Sequence, residues 1–179
     1  MTDLELLQYA RQYAIEHHKN TYGGKPYAFH LDQVYDLAVK FNLGIEYQIA
    51  SYLHDIVEDT PVTKDMLIPV FGHHIATMVY CVSGFGENRK ERQENIKEKM
   101  KNYPASINLK MIDRLANMIN SKLDNPKLYK MYCKEHTELA PIFSQGNIDI
   151  FNEIVKLVES GMENNTKQNP VVTQKKSRF

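Results

Sequence analysis

Only two cysteines occur in this chain of 179 residues, Cys81 and Cys133, and no CxxC spacing joins them. They read as reduced, mostly structural thiols of a cytosolic protein rather than as part of a disulfide framework. An excess of one charge is missing too. Lysine plus arginine and aspartate plus glutamate number 22 each, so the formal net charge is zero. A protein that coats a polyanion needs a basic surplus, so nucleic acid is not an expected partner, although a local basic pocket stays open. No apolar run approaches the roughly 20 residues that span a bilayer, and no membrane span is expected. The opening MTDLELLQYARQ carries acids early and has no uninterrupted apolar stretch, unlike a signal peptide. No segment alternates apolar and polar residues long enough to suggest a sheet, and no internal repeat is found.

What is present is helical periodicity. Leu4, Leu7, Ala10, Tyr13 and Ala14 mark a first helix, with Thr2 or Asp3 as its N-cap. NTYGGKPY then forbids continuation through Gly23, Gly24 and Pro26. Further helices are expected near 29–41 and 45–58. Thr63 caps another, which Gly72 punctuates before a new helix runs to about Val82. SGFGENRKERQ leads into a charged helix, and helices near 105–123, 126–139 and 147–160 complete the set. The expectation is one all-α domain, a helical bundle over residues 1–160. The stretch 161–179 is polar, with too little apolar surface to fold alone, and reads as a flexible tail with a basic end, KKSRF.

The chemistry concentrates in YLHDIVEDT. His54 and Asp55 offer one nitrogen and one oxygen ligand to a divalent metal, if the ion sits between their two directions on a helix. On an unbroken helix Glu58 lies over His54 and Asp59 over Asp55, which adds two proton-handling carboxylates. Ile49, Ala50, Leu53, Ile56 and Val57 form an apolar stripe around them, and buried charge is costly unless paired or bound to metal. Alone, an HD pair is more often a surface helix end. Two more pieces reverse that. His30 opens an apolar helix after the GKPY turn. Asp113 is embedded in INLKMIDRLANMINSK between Ile112 and Leu115, where an unpaired carboxylate would be destabilising by several kcal/mol. Arg114 is a poor partner for it, because adjacent helical residues diverge. Asn117 and Asn120 share its face and suggest a pocket wall.

His30, His54, Asp55 and Asp113 together suit Mn²⁺, Fe²⁺, Zn²⁺ or another first-row divalent ion. Such an ion polarises a phosphoryl oxygen and lowers the pKa of water, and Glu58 and Asp59 are placed to orient or deprotonate the attacking water.

The order and context of these residues resemble the HD superfamily of metal-dependent phosphohydrolases. More narrowly, GKPYAFH, YLHDIVEDT followed by VTKDMLIPVFG, and MIDRLANM resemble the hydrolase domain of RelA/SpoT stringent-response enzymes and the stand-alone small alarmone hydrolases. The likeness spans roughly residues 5 to 125. It implies one metal, typically Mn²⁺, on His30, His54, Asp55 and Asp113. It implies water activation by Glu58 and Asp59, nucleotide contact by Asn117, and hydrolysis of the 3′-pyrophosphate of a guanosine alarmone such as ppGpp in the cytoplasm. Where that family carries a basic pair before the turn, this chain reads HHKNTYGGKPY, in which His18 and Lys19 are the residues able to substitute.

Arg89, Lys90 and Arg92 open the charged helix. Phosphate binding and a solvated helix face are equally good readings of that cluster, and Arg89, near a helix N-terminus where cations oppose the macrodipole, is the candidate for function. Tyr27 is expected at a pocket mouth. Lys19, Tyr27, Arg89, Asn117 and Asn120 are thus the candidate substrate contacts, while Glu135 and His136 read as structural. The alternatives are an HD hydrolase of another nucleotide or phosphoester, a nucleotide sensor without activity, and, last, a structural interaction module.

Overall fold

The computed structural model describes residues 1–167, with side chains through residue 161. Helix α1 (Asp3–His17) starts at Thr2, whose hydroxyl accepts from the Glu5 amide while the Glu5 carboxylate accepts from the Thr2 amide at 2.7 Å. This reciprocal capping satisfies two donors that a helix start leaves without partners. The following turn is a short hairpin, β1 (Thr21–Tyr22) against β2 (Lys25–Pro26), with Tyr22 opposite Lys25. Its two linking residues, Gly23 and Gly24, both have positive φ, 56° and 80°, as a tight two-residue hairpin turn requires. This small ladder departs from the expectation of no sheet, because two-residue strands are too short to show alternation.

Helix α2 (Ala28–Lys40) buries Leu31, Val34 and Ala38. Helix α3 (Ile45–Leu53) ends earlier than the apolar stripe predicts. His54 and Asp55 form a turn, and α4 (Ile56–Asp59) follows as a single turn. The physical reason lies in the His54 ring: its Nδ1 takes the Ser51 carbonyl at 2.7 Å, a group that an unbroken helix commits to the Asp55 amide. Helix α5 (Lys64–Val82) is capped by the Thr63 hydroxyl and bends at Gly72, whose φ of 81° lies in the left-handed region. By length and composition α5 is apolar enough to cross a membrane; here Leu67, Ile75, Met78 and Val79 are buried against the rest of the bundle.

Helix α6 (Arg89–Asn102) is the charged one, and α7 (Ser106–Asp124) is the hub, packed against α2, α3, α5, α8 (Pro126–Phe143) and α9 (Ile148–Lys167). Every residue from Met111 to Ala116 is buried, which is why α7 reads as apolar despite its Asp-Arg pair. Helices α8 and α9 run past their expected ends, α9 as far as Lys167. Residues 168–179, with the basic KKSRF end of the expected tail, lie outside the described residues. The all-α bundle expected from periodicity is the architecture found.

A candidate metal centre in a two-sided cavity

Three segments bring the site together. Helix α2 carries His30, the turn after α3 carries His54 and Asp55, and α7 carries Asp113. His30 Nε2 and His54 Nε2 are 3.2 Å apart. Asp55 Oδ2 stands 2.9 Å from His54 Nε2 and 3.6 Å from His30 Nε2. Asp113 Oδ1 stands 3.3 and 3.5 Å from the same two nitrogens. Both histidines are buried, each about 1% exposed, so water does not screen this cluster.

The donor set fits a metal. The neutral His54 ring keeps its proton on Nδ1, toward the Ser51 carbonyl, and therefore aims a lone pair from Nε2 at Asp55. Lone pairs facing one another call for a cation between them. Ligands about 2.1 Å from one ion, at tetrahedral or octahedral angles, stand about 3.0–3.4 Å from each other, close to the histidine–histidine and histidine–carboxylate separations here; the ligand atoms of His30, His54 and Asp55 all lie within 4.8 Å of one another, and Asp113 joins them through the two imidazoles. The same demand appears in protonation. Burial alone would lower the His54 imidazolium, but Asp55 and Asp113 override it and hold it well above the usual histidine value. Burial alone would raise Asp113, but Lys110, His30 and His54 hold it well below the usual carboxylate range.

Lys110 and Tyr22, which the sequence does not single out, complete the cluster together with the expected Asn117. Lys110 Nζ donates to Asp113 Oδ2 at 2.9 Å and leaves Oδ1 facing the imidazoles. Asn117 Nδ2 donates to that Oδ1 at 2.6 Å. Each buried Leu, Ile or Met beside Asp113 contributes about 1.5–3 kcal/mol, comparable with the several kcal/mol that an unpaired carboxylate costs. The packing of α7 therefore tolerates Asp113 because Lys110 and the imidazoles meet it. Lys110 was findable, since positions i and i+3 face each other on a helix. Tyr22, presented by the hairpin, stacks on His30 with ring centroids 4.4 Å apart and donates to Asn117 Oδ1 at 2.8 Å. Nothing in the local sequence distinguishes it from the other tyrosines.

A cavity of about 290 Å³ opens beside the cluster. Its lining includes the acids Asp55, Glu58, Asp59 and Asp113, with Lys110 paired to Asp113, and the arginines Arg89, Arg92 and Arg114. Glu58 Oε2 accepts the Gly84 amide at 2.6 Å, and burial pushes its carboxyl above the usual range. Burial and the Asp55 charge push Asp59 up as well. The Tyr27 hydroxyl lies 2.5 Å from Asp55 Oδ2 and 3.1 Å from Asp59 Oδ2, and its one proton serves one of them at a time.

Of the candidate substrate contacts, Tyr27, Arg89 and Asn117 line this cavity, and Lys19 and Asn120 do not. Lys19 is exposed in the loop after α1. The Asn120 amide is engaged with Gln33, at 2.7 and 3.0 Å, and with the Tyr22 hydroxyl, so it braces the hairpin from behind. His18 stacks on Tyr27 with centroids 4.3 Å apart and is also absent from the lining. Arg114 pairs with Glu135 and not with Asp113, in keeping with the divergence of neighbouring helical residues.

This geometry defines a class of all-α protein with a His-Asp site suited to one divalent ion. The HD domain family matches residues 7–122, well over half of the chain, and the chain belongs to that family. It is 31% identical over 149 residues to the guanosine-3′,5′-bis(diphosphate) 3′-pyrophosphohydrolase of Vibrio cholerae, covering 78% of this chain and 21% of that protein. It is 32% identical over 149 residues to the enzyme of the same name from Aquifex aeolicus, covering 77% and 21%. A probable enzyme of that name from Mycoplasma pneumoniae is 31% identical over 130 residues, covering 65% and 18%. The chain thus spans about a fifth of the length of these curated relatives. A solved structure, described as a metazoan ortholog of SpoT that hydrolyzes ppGpp and plays a role in starvation responses, superposes with a TM-score of 0.74. It covers 88% of this chain and 94% of its own, and at 18% identity the likeness speaks for the fold.

Proposed function

We propose that this chain hydrolyses the 3′-pyrophosphate of a guanosine alarmone such as ppGpp, using one divalent ion, Mn²⁺ by preference, held by His30, His54, Asp55 and Asp113. The observation that carries the reading is the convergence of those four donors beside Glu58 and Asp59 in one cavity. Curated relatives named for this reaction support it. The ion supplies Lewis acidity toward a phosphoryl oxygen. The chain's own residues do the rest. Glu58 and Asp59, raised by burial toward the working pH, accept the proton of the attacking water. Gly84 fixes Glu58, and Tyr27 fixes Asp59 against Asp55. Lys110 neutralises the outer oxygen of Asp113. Tyr27, Arg89 and Asn117 are the substrate contacts. The reading places the protein in the cytoplasm and in the stringent response, where Cys81 and Cys133, both free and buried, stay reduced.

A second reading, an HD hydrolase of another nucleotide, is favoured by one observation. The stretch that should carry a basic pair against the guanine offers His18, committed to Tyr27, and Lys19, away from the cavity. Incubation with ppGpp and Mn²⁺, followed by chromatography of the products, separates the two. GDP and pyrophosphate are expected. Cleavage of a different nucleotide with ppGpp intact retires the alarmone reading and keeps the hydrolase. Tight nucleotide binding without any cleavage favours a sensor.

A further inference from the structure

Two of the arginines that line the cavity, Arg89 and Arg114, meet at one carboxylate. Glu135 of α8 accepts Arg89 Nε on Oε1 at 2.5 Å. Its Oε2 accepts three donors: Arg89 Nη2 at 3.0 Å, Gln93 Nε2 at 3.0 Å and Arg114 Nη1 at 2.8 Å. Arg89 and Gln93 come from α6 and Arg114 from α7, so one side chain ties three helices. Beneath both guanidiniums lies the Tyr132 ring, 4.5 Å from Arg114 Cζ and 5.5 Å from Arg89 Cζ, which sets their planes. An arginine carries five N–H donors, and Glu135 takes two from Arg89 and one from Arg114, so both have donors beyond those the carboxylate uses. Two guanidiniums against one carboxylate also leave a positive charge. Arg92 adds to it, making no ion pair among the described residues.

A purely structural lock accounts for half of this. Arg114 is 5% exposed and needs Glu135 to be buried at all. Arg89 is 48% exposed at its side chain and has no such need, yet it is held by both carboxylate oxygens with its fork beside that of Arg114 on the cavity wall. Helix α8 lies beyond the residues matched by the HD domain family.

We propose that Arg89 and Arg114, yoked by Glu135, form an anion subsite on the α6–α8 wall of the cavity that takes a second phosphate group of the substrate, separate from the one cleaved. Glu135 is a positioning residue: it keeps the two forks side by side, which suits bidentate contact with phosphate oxygens. The word substrate rests on the phosphohydrolase reading above, while the subsite stands on the geometry of these four side chains. It makes the enzyme selective for compounds with two separated anionic groups, one for the metal side and one for the arginine side.

The subsite is tested with inorganic pyrophosphate and the metal-free full chain, by calorimetric titration at two salt concentrations. Arg89 is the position to change, because its exposure spares the fold. Wild type should bind pyrophosphate. Arg89→Ala should weaken binding about tenfold and flatten the salt dependence, since a charge contact is lost. Arg89→Lys should recover only part of it, because an ammonium lacks the fork. The role of Glu135 is read from a double-mutant cycle. In a Glu135→Gln background, Arg89→Lys should cost at least about threefold less than in wild type, because the fork is no longer held. With Mn²⁺ and ppGpp, Arg89→Ala should raise KM far more than it lowers kcat. The subsite is overturned if wild type does not bind pyrophosphate, or if Arg89→Ala binds it as wild type does. Additive effects in the cycle remove Glu135 from the positioning role. Failure of wild type to cleave ppGpp sinks the alarmone reading alone, since the pyrophosphate titration still decides the subsite.

Discussion

Glu58, the proposed proton acceptor, is held by a neighbour that carries no side chain. Its support is the Gly84 amide, and a Cβ built on Gly84 would lie 2.9 Å from Arg92 Cβ and 3.1 Å from Ile96 Cδ1. Gly84→Ala should therefore displace the loop between α5 and α6 and withdraw the N–H from Glu58. A hydrogen bond to a charged group is worth about 1.5–3 kcal/mol, so kcat should fall about ten- to hundredfold with the metal still bound. Steady-state kinetics beside metal analysis reads both, and an unchanged kcat would detach Gly84 from the mechanism. Glu58→Gln combined with Asp59→Asn should likewise keep the metal and lose turnover, because amides accept no proton. Loss of metal in that variant would instead move these residues among the ligands. At this scale the sequence shows which residues have the chemistry for the proposed site and hides what holds them. His54, Asp55, Glu58 and Asp59 stand within six positions of one another, whereas the Gly84 contact spans 26 residues and the Tyr22–Asn117 bond spans 95. Long-range pairings leave no local pattern.

Among the described elements, periodicity places the long helices but runs α3 and α4 together as one. The apolar stripe from Ile49 to Val57 runs on as though the helix did, while the backbone breaks at His54 because its ring claims a carbonyl of the last turn of α3. Propensity has no means of seeing that competition. A comparable device closes α5. Lys99 of α6 donates to the Tyr80 and Ser83 carbonyls, at 2.9 and 2.5 Å, and lies over the Tyr80 and Phe85 rings. Burial lowers its ammonium to about 8. An unfolded lysine titrates near about 10.4, so between these two values the unfolded chain binds more protons than the folded one. Stability attributable to Lys99 then rises with pH across that window. Thermal melts from pH 7.5 to 10 should show this upward component in wild type and lack it in Lys99→Met. Identical slopes in the two proteins would mean that the Lys99 environment does not distinguish its charge states.

Across the whole molecule, the proposed ion is a brace between parts that otherwise meet only through packing. His30 enters from α2, His54 and Asp55 from the turn after α3, and Asp113 from α7, the helix against which most of the bundle packs. A ligand that binds only the folded state stabilises it by RT ln(1 + [L]/Kd), about 2.7 kcal/mol at a hundredfold excess over Kd. For a domain of this size each kcal/mol moves Tm by about 2–4 °C, so saturating Mn²⁺ should raise Tm by about 5–11 °C over chelator-treated protein. His54→Ala and Asp113→Ala should abolish both the rise and the activity. The two variants differ in what they leave behind. Without the His54 imidazole, Asp55 and Asp113 lose the positive charge that both draw on. Without Asp113, Lys110 keeps a partly buried ammonium whose close carboxylate is gone. Asp113→Ala should accordingly have the lower Tm in chelator, since Lys110 reaches no other carboxylate within ion-pair distance among the described residues, and Asp113→Ala combined with Lys110→Met should regain part of the loss. Calorimetry of wild type, the two single variants and the Asp113–Lys110 pair, each with Mn²⁺ and with chelator, measures all of these at once. A wild-type Tm indifferent to Mn²⁺, together with metal-independent turnover, would show that the four donors hold no functional ion.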